Sequence, residues 1–153
     1  MKALWTAIAL GISLASVSQV QAQQPPQSYG SDTVKRSFTI VPRDIDKQTL
    51  GGGTFCLTVL YRNNYYYYYS ENYAEANTTD GPCESNGPRT DMNIALNWKY
   101  NGDRLQGKSC DNTSQCDFSE RNYGIGKKID CASATAGRNG WSARVSTDPV
   151  SCP

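Results

Sequence analysis

Residues 92 to 100 read Met-Asn-Ile-Ala-Leu-Asn-Trp-Lys-Tyr, with a large apolar side chain at every second position. The apolar positions are Met92, Ile94, Leu96, Trp98 and Tyr100. Successive side chains of a β-strand point to opposite faces of the sheet, so this alternation predicts a strand with one buried and one exposed face.

Further short runs rich in β-branched and aromatic residues flank this strand and are separated by turn residues such as Gly51-Gly52-Gly53 and Asn139-Gly140. These runs are Phe38–Val41, Thr54–Tyr61, Gly126–Cys131 and Trp141–Val145. They predict an all-β fold, a small disulfide-stapled antiparallel sandwich or barrel. The alternative is an α+β fold, in which Ser119–Asn122 or Tyr65–Ala76 holds a turn or two of helix.

The cysteine count indicates how such a small fold is held together. The chain has six cysteines: Cys56, Cys83, Cys110, Cys116, Cys131 and Cys152. An even number behind a secretory leader predicts three disulfides. Six cysteines allow fifteen pairings, and the sequence does not choose among them.

The N-terminus has the pattern of an export signal. A basic start at Lys2 is followed by an apolar run from Ala3 to Val17, and Val20-Gln21-Ala22 provides small residues for a signal peptidase. We therefore predict a signal peptide over residues 1–22, with cleavage after Ala22. The apolar run is shorter than the roughly 20 residues that span a bilayer. The next segment, residues 23–36, is rich in Gln, Pro, Ser and Gly, and we expect it to be disordered.

That segment ends in the dibasic pair Lys35-Arg36, immediately before the first apolar alternation. The arrangement of residues 1 to 36 resembles that of small secreted cysteine-rich fungal proteins, in which a kexin-type protease removes a pro-segment ending in Lys-Arg. The resemblance implies a secreted, extracellular protein whose mature part is the disulfide-rich β-domain 37–153. The alternative is that Lys35-Arg36 is a solvated pair in a linker.

The charge balance and the absence of histidine exclude several classes of function. The chain carries 15 basic and 14 acidic groups, and removing Lys2, Lys35, Arg36 and Asp32 leaves 12 and 13. A domain without a basic stripe or a basic amphipathic face is not expected to bind nucleic acid or a membrane. Without histidine, Ser-His and Cys-His nucleophiles and His-ligated zinc are absent. We expect no metal and no cofactor.

Seven of the ten tyrosines fall within thirteen positions: Tyr61, Tyr65, Tyr66, Tyr67, Tyr68, Tyr69 and Tyr73. As one strand, this segment would place tyrosines on both faces of a sheet. One hypothesis is an exposed aromatic surface that binds a glycan or a protein, because tyrosine combines a large rigid ring with a hydrogen-bonding tip. The other hypothesis is that the tyrosines at alternate positions, which share one face of the strand, fill a core that is short of aliphatic side chains.

Two sequence triplets are acceptors for N-glycosylation. They begin at Asn77 and Asn112, and each lies beside turn residues. We therefore expect both asparagines in exposed loops.

The carboxylates do not form a recognisable catalytic pair, so no catalytic residue is assigned. A glycosidase would need two carboxyl groups in defined roles. We expect a monomeric effector or virulence factor that acts by binding a host protein or a cell-wall glycan. The alternatives are an antimicrobial or killer-type toxin, for which the surface lacks positive charge, a carboxylate-only glycan hydrolase, and a bacterial periplasmic or secreted binding protein.

Overall fold

The computed structural model describes residues 28–124 and 126–153. The signal peptide, its cleavage site at Ala22 and the first part of the pro-segment lie outside the described residues. The described chain forms eight strands and one short helix. In order, these are β1 (Gly30–Ile40), α1 (Asp44–Leu50), β2 (Phe55–Tyr65), β3 (Tyr69–Asp80), β4 (Met92–Tyr100), β5 (Gln106–Thr113), β6 (Gln115–Tyr123), β7 (Ile129–Arg138) and β8 (Trp141–Ser146).

The strands form two four-stranded antiparallel sheets. The first sheet has the order β1-β2-β3-β6 and the second the order β5-β4-β7-β8. Their apolar faces pack against each other in one core. The prediction of an all-β, disulfide-stapled sandwich is confirmed, because each half-apolar sheet buries its inner face against the other.

Strand β4 has the bounds and the buried face that the alternation predicted. Its five apolar side chains are all at most 4% exposed. They belong to the same core cluster as inward-facing residues of β2, such as Phe55 and Leu57, which are fully buried. Trp98 also stacks on Phe118 of β6, with ring centroids 3.9 Å apart, so an aromatic pair joins the two sheets.

The six cysteines form three disulfides, as predicted. The pairs are Cys56–Cys83, Cys110–Cys116 and Cys131–Cys152. The first joins β2 to the loop after β3, and the second joins β5 of the second sheet to β6 of the first. The third fixes the C-terminal segment to β7. Such a set of disulfides is compatible with an extracellular protein.

Helix α1 was not predicted from the sequence, whereas the glycines that follow it form the expected connection to β2. The helix ends at Gly51, whose φ of 65° is in the left-handed region that favours glycine. Arg89, only 4% exposed, donates to the carbonyl of Leu50 at 2.8 Å and lies over the ring of Phe55 at 5.2 Å. The guanidinium of Arg89 lies so close to Gly52 that a Cβ there would approach it to 3.1 Å. The glycine segment therefore packs against the buried side chain of Arg89.

The expected disorder of residues 23–36 is wrong for residues 30 to 36. These residues belong to β1, and Lys35 and Arg36 lie opposite Leu60 and Val59 of β2. The segment has only Val34 as an apolar side chain towards the core, because β1 is an edge strand with a largely exposed surface. Its order comes from backbone pairing along the whole of β2.

The helical turns considered for two segments are also absent. Ser119–Asn122 lies in β6, and Tyr65–Ala76 belongs to the β2–β3 hairpin. Both segments pair with neighbouring strands, and that pairing outweighs their weak local preference.

Candidate functional site

The run of five tyrosines forms the turn of the β2–β3 hairpin and not a continuous strand. Tyr65 ends β2 and Tyr69 begins β3. The amide of Tyr66 donates to the carbonyl of Tyr69 at 2.9 Å, which closes the turn. Tyr67 and Tyr68 occupy the tip and are 82% and 84% exposed. The interpretation of this segment as one strand with tyrosines on both faces is therefore wrong. The turn could not be predicted, because it contains none of the usual turn residues.

Two further tyrosines join the hairpin at this end of the molecule. Tyr29 lies 5.7 Å from Tyr67 between ring centroids, and Tyr123 lies 6.1 Å from Tyr69. Tyr66 and Tyr69 stack at 4.4 Å. We call these seven residues the tyrosine cluster: Tyr29, Tyr65, Tyr66, Tyr67, Tyr68, Tyr69 and Tyr123. Tyr29 and Tyr123 were not predicted from the sequence, because only strand pairing brings them to the hairpin.

Two of the candidate tyrosines lie away from the cluster. Tyr61 is 9% exposed and faces the core, so it does not belong to an exposed aromatic surface. Burial raises its pKa. Tyr73 lies on the outer face of the first sheet, where it donates a short hydrogen bond to Glu75 and is covered by Arg62, whose guanidinium lies 5.5 Å from the ring. Core packing and surface placement thus both occur, at different tyrosines.

Beside the tyrosine cluster, the outer face of the first sheet carries a depression of about 570 Å³. Its walls come from β2, β3 and β6, and every lining residue carries a polar or charged group. The lining residues are Arg62, Asn64, Glu71, Asn72, Tyr73, Ser119, Glu120 and Arg121. The depression offers hydrogen-bond donors and acceptors in planar groups, which can fix the orientation of a polar ligand.

Glu71 and Arg121 connect the depression to the tyrosine cluster. They form an ion pair at 2.7 Å, and the Arg121 guanidinium lies 4.6 Å from the centroid of Tyr69. The hydroxyl of Tyr66 donates to Glu71 at 3.3 Å. Burial and the neighbouring carboxylate raise the pKa of Tyr66. Arg62 has no carboxylate within ion-pair distance in the described part of the chain, so its positive charge faces the depression unneutralised.

A buried network of asparagines supports the depression from inside the sandwich. The side chain of Asn63 donates to the carbonyl of Ile129 at 2.9 Å and accepts from its amide at 2.8 Å. Asn72 donates to Asn63 at 2.7 Å, and Asn122 donates to Asn72 at 2.8 Å. The network joins three strands of the first sheet to β7 of the second. It therefore holds the floor of the depression in a fixed position.

The glutamates of this region act as hydrogen-bond acceptors. Glu71, Glu75 and Glu120 each accept from a tyrosine hydroxyl, of Tyr66, Tyr73 and Tyr100 respectively. Burial and then the partner carboxylate raise the pKa of Tyr73 and Tyr100, so these phenols stay protonated. These hydrogen bonds hold the glutamate and tyrosine side chains in defined positions.

The two glycosylation acceptors lie in different surroundings. Asn77 is inside β3, half-buried, and its amide donates to Glu75, so the expected exposed loop is wrong for this residue. Asn112 is exposed, near the end of β5, with a positive φ of 49° next to the β5–β6 turn. Glycosylation itself stays a prediction for both residues.

Within residues 28–124 and 126–153, no group of three or more Cys, Asp or Glu side chains is arranged to hold a metal ion. The single helix described is too short and too polar to cross a membrane.

Comparisons with protein-family models, with curated proteins and with solved structures find no match to this chain.

Proposed function

We propose that this chain is a secreted, non-catalytic binding protein of the effector type, and that the tyrosine cluster and the adjoining depression bind a cell-wall glycan. The observation that carries the proposal is the exposure of Tyr67 and Tyr68 beside a polar depression. Export rests on the signal peptide pattern of residues 1–22, and three disulfides fit the oxidising route.

The proposed ligand follows from the two surfaces that meet at Glu71 and Arg121. The faces of a sugar ring carry C–H groups that pack on aromatic rings, and its edges carry hydroxyls that pair with planar polar groups. The tip tyrosines provide rings in water, and the depression provides Arg, Asn and Glu side chains. Covering apolar ring surface contributes about 25 cal/mol per Å², which favours a ligand that lies across both surfaces.

A host protein is the second candidate. Exposed tyrosines and arginines are enriched at the centres of protein interfaces. Arg62 over the ring of Tyr73 and Arg121 over the ring of Tyr69 provide that combination. A glycan is favoured over a protein because the rings adjoin a depression whose lining residues all carry hydrogen-bonding or charged groups.

The test is co-sedimentation of the purified protein with insoluble polysaccharides, such as chitin, cellulose, xylan and β-glucan. We expect retention on at least one of them. The variant Tyr67→Ala/Tyr68→Ala should weaken it by at least about tenfold, or roughly 1.4 kcal/mol. Phe38→Ala is the matched control, because Phe38 is an exposed aromatic residue towards the other end of β1 and β2.

Two outcomes would contradict the proposal. Retention that is equal for the tip variant and for Phe38→Ala would place the binding site elsewhere. Release of reducing sugars during the incubation would identify a hydrolase. If no polysaccharide retains the protein, the glycan is excluded and affinity capture of a host protein with the same variants becomes the relevant test.

A further inference from the structure

Four of the ten tyrosines are largely exposed and lie at the same end of the sandwich. Tyr29, Tyr67, Tyr68 and Tyr123 are 65%, 82%, 84% and 78% exposed. Two backbone hydrogen bonds hold the segments of Tyr29 and Tyr123 against the hairpin. The amide of Tyr29 donates to the carbonyl of Tyr65, and the amide of Gly124, next to Tyr123, donates to the carbonyl of Tyr68. Tyrosine is usually at least half-covered in folded proteins, so this concentration of free phenols requires an explanation.

We propose that the tip of the tyrosine cluster is a site of oxidative phenol coupling, at which Tyr67 or Tyr68 of one chain forms a dityrosine bond with the same tip of a second copy. The co-reactants are a secreted peroxidase and hydrogen peroxide. This inference does not rest on glycan binding, because it needs only the accessibility of the phenol rings.

The reaction balances without any group from the protein other than the phenols. Each of two tyrosines loses one electron and one proton and becomes a phenoxyl radical. Hydrogen peroxide accepts the two electrons and two protons, its O–O bond breaks, and two water molecules form. The two radicals join through a C–C bond between the ring carbons ortho to oxygen, and the hydrogen on each of these carbons moves to oxygen. The coupled chains are together two hydrogens lighter than the separate ones.

The geometry favours coupling between chains over coupling within one chain. Tyr66 and Tyr69 are stacked with 18° between their planes, so their faces meet and their ortho carbons do not meet edge to edge. The hydroxyl of Tyr65 is occupied by Asp32 at 2.6 Å. The rings of Tyr67 and Tyr68 project into solvent, where a second molecule can reach their ortho carbons. The one in-chain competitor among these exposed rings is the pair Tyr29 and Tyr67, at 5.7 Å.

Two properties of the whole chain permit this approach of two copies. Without Lys2 of the predicted signal peptide, the chain carries 14 basic and 14 acidic groups, so copies repel each other weakly. All six cysteines are paired in disulfides. A covalent dimer that survives reduction therefore cannot be a disulfide dimer, and it reports directly on the phenols.

The experiment treats the purified full-length secreted protein with a plant-type peroxidase and hydrogen peroxide. Reducing gel electrophoresis, dityrosine fluorescence and intact mass follow the products. We expect a reduction-resistant dimer with twice the chain mass less two hydrogens, and cross-linked peptides that contain Tyr67 or Tyr68. The variant Tyr67→Phe/Tyr68→Phe should lose most of this dimer. Tyr73→Phe, at a half-buried ring whose hydroxyl is bound to Glu75, is the matched control and should keep it.

Three results would overturn the inference. The first is a dimer yield in Tyr67→Phe/Tyr68→Phe equal to that of the parent protein. The second is a monomer two hydrogens lighter as the main product, which would show coupling within one chain, as between Tyr29 and Tyr67 or between Tyr69 and Tyr123. The third is a cross-linked peptide from the parent protein that contains neither tip residue, a measurement that does not depend on how the variants fold.

Discussion

Asn63, which is 1% exposed, joins the β2 strand to the backbone of β7 in the core. It satisfies both backbone groups of Ile129 and accepts a third hydrogen bond from Asn72. Replacing Asn63 with Ala leaves these buried groups without partners, and we expect a loss of about 2 to 3 kcal/mol in the free energy of unfolding. The neighbouring Asn64 faces outward, so Asn64→Ala should cost no more than about 0.5 kcal/mol. Urea unfolding of both variants with intact disulfides measures the difference; equal costs would mean that the network adds no stability.

Tyr100 predicts how stability changes at alkaline pH. It is fully buried and donates to Glu120 at 2.7 Å, and burial followed by this carboxylate raises its pKa in the folded chain. In the unfolded chain the pKa returns to about 10. The folded state therefore binds this proton more tightly, and its contribution is complete below about pH 10 and is lost as the pH rises further.

The measurement is the urea midpoint at a series of pH values and constant ionic strength. We expect the midpoint of the parent protein to fall above about pH 10, and Tyr100→Phe to show a smaller fall. The exposed Tyr123 provides the control, since Tyr123→Phe should follow the parent curve. A Tyr100→Phe curve parallel to the parent curve would contradict this assignment.

The candidate site shows which residue-scale features the sequence reveals. Composition identified Tyr65 to Tyr69 as unusual. It could not identify a hairpin turn, because turns are read from Gly, Pro, Asn and Asp, and this turn has none of them. Tyr29 and Tyr123 are far from the run in sequence and reach it only through the pairing of β1 with β2 and of β3 with β6.

At the scale of one element, the pairing of β1 determines whether a protease can cut the chain after Arg36. A cut after Arg36 would remove Gly30 to Arg36, seven of the eleven residues of this strand. A protease needs its substrate extended and free, so a paired strand must first detach from the sheet. We expect the folded protein to resist a kexin-type protease at Arg36 and the reduced, unfolded protein to be cut. Intact mass of the secreted protein should then correspond to a start at Gln23; accumulation of a chain that starts at Ser37 from folded protein would contradict this.

The difference between β1 and β4 explains why some strands were predictable. β4 is a central strand with one buried face, so every second side chain is apolar. This alternation predicted the bounds of the strand. β1 is an edge strand whose order comes from backbone hydrogen bonds, which any residue except proline can donate. β3 is central, but its inner face consists of small and polar residues such as Ala74 and Asn72, so alternation there is hidden from a hydrophobicity pattern.

For the whole molecule, the core explains the dependence on disulfides. The inner faces contain alanines and asparagines where a larger sandwich would have leucine and isoleucine, and several alanines of β3 and β7 are fully buried. Small side chains let the sheets approach closely but remove less apolar surface from water. Covalent links therefore supply a large share of the stability. The sequence predicted three links, yet their pairing depends on which strands become neighbours, and this is a property of the complete topology.

The closed loops differ in length, and this predicts how much each disulfide contributes. Cys131–Cys152 spans 21 positions of the sequence and Cys110–Cys116 only 6. If a disulfide stabilises by restricting the unfolded chain, the logarithmic dependence on loop length makes the longer link worth about 1 kcal/mol more. We expect Cys131→Ala/Cys152→Ala to lose about that much more free energy of unfolding than Cys110→Ala/Cys116→Ala, as measured by denaturant unfolding of the two double variants. The opposite order would show that the short link acts in the folded state, by joining β5 of one sheet to β6 of the other, and that restriction of the unfolded chain is the smaller effect.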